Sequence, residues 1–192
     1  FSLACSHHLK PDQLTEWAII IQQADHLSSG MDRNSDSAYK DEQDFSDWEK
    51  FKKIRMVSVF EGIGKANIDL KYHLPAEELS LSNSFFPSVS FDATPDYKKL
   101  WNGFVTEFKC IQAASFKAFT DTLLNLLWKY TCTIPSSTMN LPDVSLFDHL
   151  KTTAAFAVTL YDWSIADAET NKNSFLLVGA DVSGIQSFIY DI

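Results

Sequence analysis

The stretch SLFDHLKTTAAFAVTLYDW (145–163) decides how this chain is read. It predicts a long helix from about Ser145 to Trp163, rich in good helix formers. Ala154, Ala155, Ala157 and Val158 supply small side chains for close packing against another helix. One histidine, His149, sits four residues after Ser145 and shares a face with Thr153 and the small alanines. A histidine placed where a second helix comes close suits a ligand held between helices, or equally a core histidine bonded to a carbonyl. Asp148 points to another face.

Working back from that helix, Pro135 and the turn PSST close a preceding helical pair over about 98–130. There Leu100, Trp101, Phe104, Phe108 and Ile111, then Phe116, Phe119, Leu123, Leu124 and Leu127, recur at helical spacing. Earlier still, MVSVF (56–60) favours a strand with KYHL before Pro75 as its partner, and FFPSVSFDATPDY (85–97) reads as extended chain. The span 34–53 is polar and charged without a sustained period, which predicts a flexible surface insertion. Residues 13–29 place Leu14, Trp17, Ala18, Ile21, Ala24, Asp25 and Ser28 three and four apart. This predicts a helix with one buried face, capped by Asp12 and ended at Gly30. Past the long helix, SFLLVGAD (174–181) has the short apolar run of a buried strand, followed by the turn VSGIQ and the opening of a helix.

Composition limits the function classes. The 192 residues are 45% apolar and 14% aromatic, enough for a sizeable core. Sixteen Lys and Arg against 25 Asp and Glu give a net charge of -9, which excludes a wholly basic nucleic-acid glove but allows a local basic groove. No run reaches the roughly 18 to 20 apolar residues of a membrane helix, and the start lacks a signal-peptide layout, so a soluble cytoplasmic protein is expected. Cys5, Cys110 and Cys132 are odd in number and widely spaced, which fits neither a disulfide framework nor a zinc knuckle and suggests buried packing thiols. The chain begins at Phe1 and stops within the apolar run FIYDI, so it reads as a fragment open at both ends.

Two places have residues suited to chemistry. His7 and His8 precede a turn, and Asp25 lies on the apolar-faced helix about 17 residues on. With His149, an imidazole and a carboxylate from separate helices are both competent ligands for a divalent metal. The plainer readings are a surface His-His pair and an aspartate bonded between helices. In GADVSGIQ (179–186), a carboxylate ends a strand and a Ser-Gly turn opens a helix, a layout that can approach Mg²⁺ and phosphate. It is neither a Walker loop nor a full dinucleotide fingerprint, and an ordinary strand-turn-helix joint explains it as well.

Four blocks taken in order carry more than any one of them: HHLKP…IIIQQADHLSSGMDR (7–33), IPSST (134–138), SLFDHLKTTAAFAVTLYDW (145–163) and FLLVGADVSGIQSFIYDI (175–192). Together they resemble the large signature subunit of type III-A CRISPR effector complexes, the HD-nuclease and Palm-cyclase subunit of the Csm complex. The pattern SL-x-x-H-x-x-x-TAA-x-A followed by D-x-SGIQ-x-FIY is the specific part; 34–130 matches only in its general layout.

The resemblance implies a mainly α fold: a permuted HD-like helical domain over 1–168, with 54–97 extended, then the first strand and turn of an α/β ferredoxin-like Palm domain over 174–192. It implies His8, or His7 in its place, with Asp25 and His149, as ligands of a divalent metal such as Mn, Ni or Mg. It also implies Asp181, Ser183 and Gly184 as residues on the nucleotide side of a Palm that takes ATP. No residue of the chain is assigned as catalytic. The family's His-Asp dyad and Gly-Gly-Asp-Asp motif are both missing from this sequence, which leaves the metal set incomplete and the segment inactive by itself. The implied functions are cleavage of single-stranded DNA and synthesis of cyclic oligoadenylate, within a guide RNA-containing complex that binds target RNA during antiviral defence. An inert HD-like scaffold docking the Palm and other subunits is the rival. A separate HD phosphohydrolase of small nucleotides accounts for His149 and Asp25 but not for the D-x-SGIQ block.

Overall fold

A computed structural model describes residues 9–10, 13–32, 51–61, 71–92, 94–138, 141–165 and 178–179. Four helices dominate them: α1 Glu16–Asp32, α2 Tyr97–Phe108, α3 Phe116–Thr131 and α4 Leu146–Ile165. The fold is therefore mainly helical, with short 3-10 turns and isolated bridges between α1 and α2.

Each helix starts where a side chain takes up a free amide. Thr15 Oγ1 accepts from Ala18 N at 3.4 Å. Asp96 accepts from Lys99 N at 2.9 Å and Ser115 from Ala118 N at 3.1 Å. At α4, Ser145 Oγ accepts from Asp148 N at 3.0 Å and donates to Asp148 Oδ2 at 2.6 Å, closing a local box that fixes the helix start. Two sequence expectations change here. Thr15 caps α1 three residues later than expected, Asp12 lying outside the described residues, and α1 continues through Gly30 to Asp32. A glycine tolerates helical dihedrals at a cost of about 1 kcal/mol, so its presence does not by itself end a helix.

The helices form two pairs. In the first, α1 and α4 run antiparallel: Ser28 near the end of α1 meets His149 near the start of α4, while Trp17 stacks on Tyr161 with ring centroids 4.8 Å apart. Ala18, Ala24 and Ser28 are buried, so the small residues that permit close approach belong to α1. On α4, Ala154, Ala155 and Val158 are exposed, against the sequence expectation. The reason is helical phase. The face carrying His149, Thr152 and Leu160 meets the protein; Ala157, close to it in phase, is half-buried as expected, whereas Ala154, Ala155 and Val158 fall on the opposite side.

In the second pair, α2 and α3 form a hairpin around Leu100, Leu126 and Tyr130, with Tyr97, Phe104, Ile111 and Ile134 packed against that core. Gly103 gives Tyr130 its place, because a Cβ there would lie 2.6 Å from Tyr130 Cε1. The Tyr130 hydroxyl and Lys129 Nζ both donate to Glu107 Oε1, at 2.7 and 2.6 Å. These bonds hold the Glu107 carboxyl below its ordinary pKa, while burial and the neighbouring acids push Tyr130 up to about 12.

Between α1 and α2, the described residues bond to one another and to the helical part. Val57 bridges to His73 and His73 to Ser88, both antiparallel, so MVSVF and KYHL meet at an isolated bridge in place of the expected strand pair, Val59–Glu61 closing into a 3-10 turn. Val57 N also donates to Pro142 O at 2.8 Å, and Leu79 N to Lys129 O at 2.8 Å. The 132–145 connection folds back on itself through Leu146 N to Ile134 O at 2.7 Å and Ser136 N to Val144 O at 2.9 Å. Those bonds set the start of α4, and with it His149, beside the end of α3, where Trp128 stacks on Phe147.

The three cysteines divide differently from expectation. Cys132 is half-buried and its thiol is pushed up to about 11 by burial, in keeping with a packing role, whereas Cys110 is exposed at the start of the turn between α2 and α3. Cys5 lies outside the described residues.

Candidate metal centre

Asp25 and His149 come together across the α1–α4 pair. His149 Nε2 is 3.1 Å from Asp25 Oδ1, and the two side chains keep 13% and 22% of their exposure. They are 124 positions apart in sequence, and the helical period places both on the buried faces of their helices. Partial burial strengthens their interaction while leaving an opening for water or ligand oxygens.

Behind them lies a hydroxyl cluster. Ser28, fully buried, sits one helical turn after Asp25. Its Oγ is 3.0 Å from His149 Nδ1, 2.7 Å from Thr152 Oγ1 and 3.1 Å from the carbonyl of His149. Thr152 Oγ1 in turn donates to the carbonyls of Asp148 and His149, at 2.8 and 3.0 Å. The imidazole is thus held at both nitrogens, by Asp25 in front and Ser28 behind. Thr153 Oγ1, on the turn after His149, is buried without a hydrogen-bond partner among the described residues.

The donor spacing fits a shared divalent cation. Two ligands about 2.0–2.2 Å from one metal, at tetrahedral or octahedral angles, lie roughly 3.0–3.5 Å from each other. Nε2 and Oδ1 already stand at 3.1 Å, so both can ligate one ion with little movement. Among the described residues, no group of three or more His, Cys, Asp and Glu side chains forms a cluster.

Of the residues singled out in the sequence, the structure brings Asp25 and His149 into contact. His7, His8, Asp181, Ser183 and Gly184 lie outside the described residues, as does the 174–177 strand segment. His26 is exposed on α1, and His73 is engaged in the bridges to Val57 and Ser88. Sequence reasoning placed Ser28 on the buried face without giving it a role and missed Thr152 altogether. The i, i+3 spacings Asp25–Ser28 and His149–Thr152 are the signal that puts each hydroxyl on the same helix face as a ligand.

No family model matches the chain. It is 31% identical over 195 residues to the CRISPR system single-strand-specific deoxyribonuclease Cas10/Csm1 (subtype III-A) of Streptococcus thermophilus, covering 91% of this chain and 25% of that protein. The protein of the same name from Methanocaldococcus jannaschii is 31% identical over 214 residues, 90% of this chain and 25% of its own. That of Enterococcus italicus is 29% identical over 205 residues, 91% and 26%. The chain belongs to the Cas10/Csm1 family of subtype III-A. It spans about a quarter of the length of these curated relatives, and the match runs through both Asp25 and His149, which stand 124 positions apart. Among the described residues no helix is long and apolar enough to cross a membrane.

Proposed function

We propose that this chain supplies part of a metal-dependent nuclease centre that cleaves single-stranded DNA, with Asp25 and His149 as two of its ligands. The observation that supports it is the 3.1 Å approach of His149 Nε2 to Asp25 Oδ1 across two helices, in a family whose named relatives are single-strand-specific deoxyribonucleases. His8, or His7, would complete the set from this chain.

When bound, a divalent ion such as Mn, Ni or Mg would supply an activated water and charge stabilisation for phosphodiester hydrolysis. The residues' own tasks are positional. Asp25 brings a full negative charge that draws in a cation, and His149 a neutral donor whose ring is fixed from behind by Ser28. The packed α1–α4 interface holds the two donors at ligating distance, which lowers the cost of assembling the site. The partial exposure of both leaves a face for a backbone phosphate, and the acidity of the chain requires only a local cationic groove for single-stranded DNA.

The remaining parts of the reading rest on the sequence resemblance. Asp181, Ser183 and Gly184 would lie on the nucleotide side of a Palm domain that joins ATP into cyclic oligoadenylate. The protein would work in the cytoplasm within a guide RNA-containing effector complex that recognises target RNA.

The test is cleavage of single-stranded DNA by the intact protein with Mn²⁺, alongside metal content, for wild type and His149→Ala. Metal-stimulated cleavage and bound metal that His149→Ala abolishes are the expected results. DNA left uncut, with metal content unchanged by His149→Ala, would overturn the proposal. The second reading, an inert scaffold, draws on an Asp-His contact that can serve as a helix clasp. Stoichiometric metal in the intact protein sinks that version.

A further inference from the structure

We infer that Ser28 is a positioning residue that directs the lone pair of His149 Nε2 toward Asp25, and so sets the affinity of the metal centre. The inference rests on the ligand reading of Asp25 and His149 and adds to it how one ligand is held.

The argument is a count of protons. Ser28 Oγ has one proton to give and three neighbours: His149 Nδ1 at 3.0 Å, Thr152 Oγ1 at 2.7 Å and the His149 carbonyl at 3.1 Å. Thr152 has backbone carbonyls within reach for its own proton. Among these groups two arrangements follow. In one, Ser28 donates to Nδ1, and Nε2 carries a proton that it donates to Asp25. In the other, Nδ1 donates to Ser28, Ser28 donates to Thr152 or to the His149 carbonyl, and Thr152 donates to the backbone. That second chain ends on carbonyl acceptors and leaves no polar hydrogen unused, so Nε2 can present a lone pair beside the Asp25 carboxylate.

A lone pair and a carboxylate oxygen 3.1 Å apart repel unless a cation lies with them. The same hydroxyl therefore serves both states by reversing the direction of its bonds. Ser28 does this without side-chain movement, being fully buried between helices. An alanine at this position removes the hydroxyl without adding volume, and Nδ1 is then left with no partner on α1. Supports of this kind are worth 10–100-fold in metal affinity, because they fix both the tautomer and the ring orientation of the ligand.

The experiment compares Ser28→Ala and Thr152→Val in the intact protein, with ¹⁵N-labelled histidine and Mn²⁺ titration. Ser28→Ala is expected to shift the His149 Nδ1 resonance in metal-free protein, leaving other histidines in place, and to weaken Mn²⁺ binding about 10–100-fold. Thr152→Val, close in shape, leaves Ser28 its bond to the His149 carbonyl and is expected to weaken binding only a few-fold. An unshifted Nδ1 resonance in a folded Ser28→Ala protein overturns the inference, as does wild-type Mn²⁺ affinity in that variant. If Ser28→Ala does not fold, loss of the metal in Thr152→Val as complete as in His149→Ala refutes the positioning role. A wild-type protein that binds no Mn²⁺ refutes the ligand reading instead, and the metal-free Nδ1 shift still decides whether Ser28 holds the ring.

Discussion

Substituting Asp25 by Asn and by Ala separates a helix clasp from a metal ligand. Asp25 Oδ1 and His149 Nε2 are 3.1 Å apart, with side chains 22% and 13% exposed. A charge-assisted bond in that partly buried setting contributes about 1.5–3 kcal/mol to stability. Asn keeps an amide oxygen that can still accept from Nε2–H, so Asp25→Asn in chelator-treated protein should cost only about 1 kcal/mol, the difference between charged and neutral acceptors. Asp25→Ala removes the acceptor and should cost about 2–3 kcal/mol, since His149 loses its partner in front. The order for stability is wild type, Asn, Ala. Metal binding ranks them differently. An amide oxygen is a poor ligand and carries no charge, so both variants should lose affinity by more than the roughly 10–100-fold that a supporting residue is worth. Urea unfolding with EDTA gives the first ranking and Mn²⁺ titration of the intact protein the second. If Asp25→Asn binds Mn²⁺ like wild type, Asp25 is a clasp and the ligand assignment is wrong.

Three further outcomes test the fold around the site. Gly103→Ala sets a Cβ 2.6 Å from Tyr130 Cε1, and the ring is pinned by its bond to Glu107. Overpacking of about 1–3 kcal/mol outweighs the gain of about 1 kcal/mol in helix propensity, so urea unfolding should show net destabilisation; a stabilised variant would contradict this contact. Tyr97 donates to the Ile54 carbonyl and is pushed by burial from 10.0 up to about 12. Its folded pKa is raised, so the stability it contributes is complete below about pH 10 and lost as the pH rises toward 12. Tyr97→Phe should flatten that part of the stability profile, and an unchanged profile would refute the assignment. Thr153→Val removes a buried hydroxyl with no partner among the described residues and should stabilise the metal-free protein by up to about 1 kcal/mol in thermal unfolding. A loss of more than that would mean the hydroxyl is bonded.

Helical periodicity carried most of what was legible. The phase of 13–29 put Ala18, Ala24, Asp25 and Ser28 on one face, and all four meet α4 or lie buried. For α4 the same reasoning went only half way. His149 and Thr153 do share the inner face, but Ala154, Ala155 and Val158 were assigned there by their size, and small residues are as compatible with solvent as with a close partner. Size marks an interface only when phase agrees, and α4 positions 154, 155 and 158 are out of phase with 149 and 153. Helix ends were read from residue type and shifted for a similar reason: Thr15 wins the cap because its hydroxyl reaches Ala18 N, while Gly30 stays helical.

The site itself shows the limit of pattern reading most clearly. That Asp25 and His149 belong together was inferred from residue chemistry, but their distance is a tertiary quantity. It depends on Trp17 stacking on Tyr161 at one end of the helix pair and on the 132–145 backbone bonds that seat the start of α4 at the other. Ser28 and Thr152 were invisible as functional residues because a hydroxyl on a buried helix face has many roles, and only the convergence of three acceptors and donors within 3.1 Å of one oxygen gives it one. The consequence is a site in which Asp25 and Ser28, three positions apart on α1, hold the two ring nitrogens of His149 on α4. A change in the register of α1 would therefore displace ligand and support together, so the centre depends on the rotational setting of α1 against α4. Covalent tethering of Trp17 to Tyr161 through engineered cysteines should consequently leave Mn²⁺ affinity intact, whereas a one-residue insertion in α1 between Trp17 and Asp25, which turns Asp25 by about 100°, should abolish it while α1 stays helical.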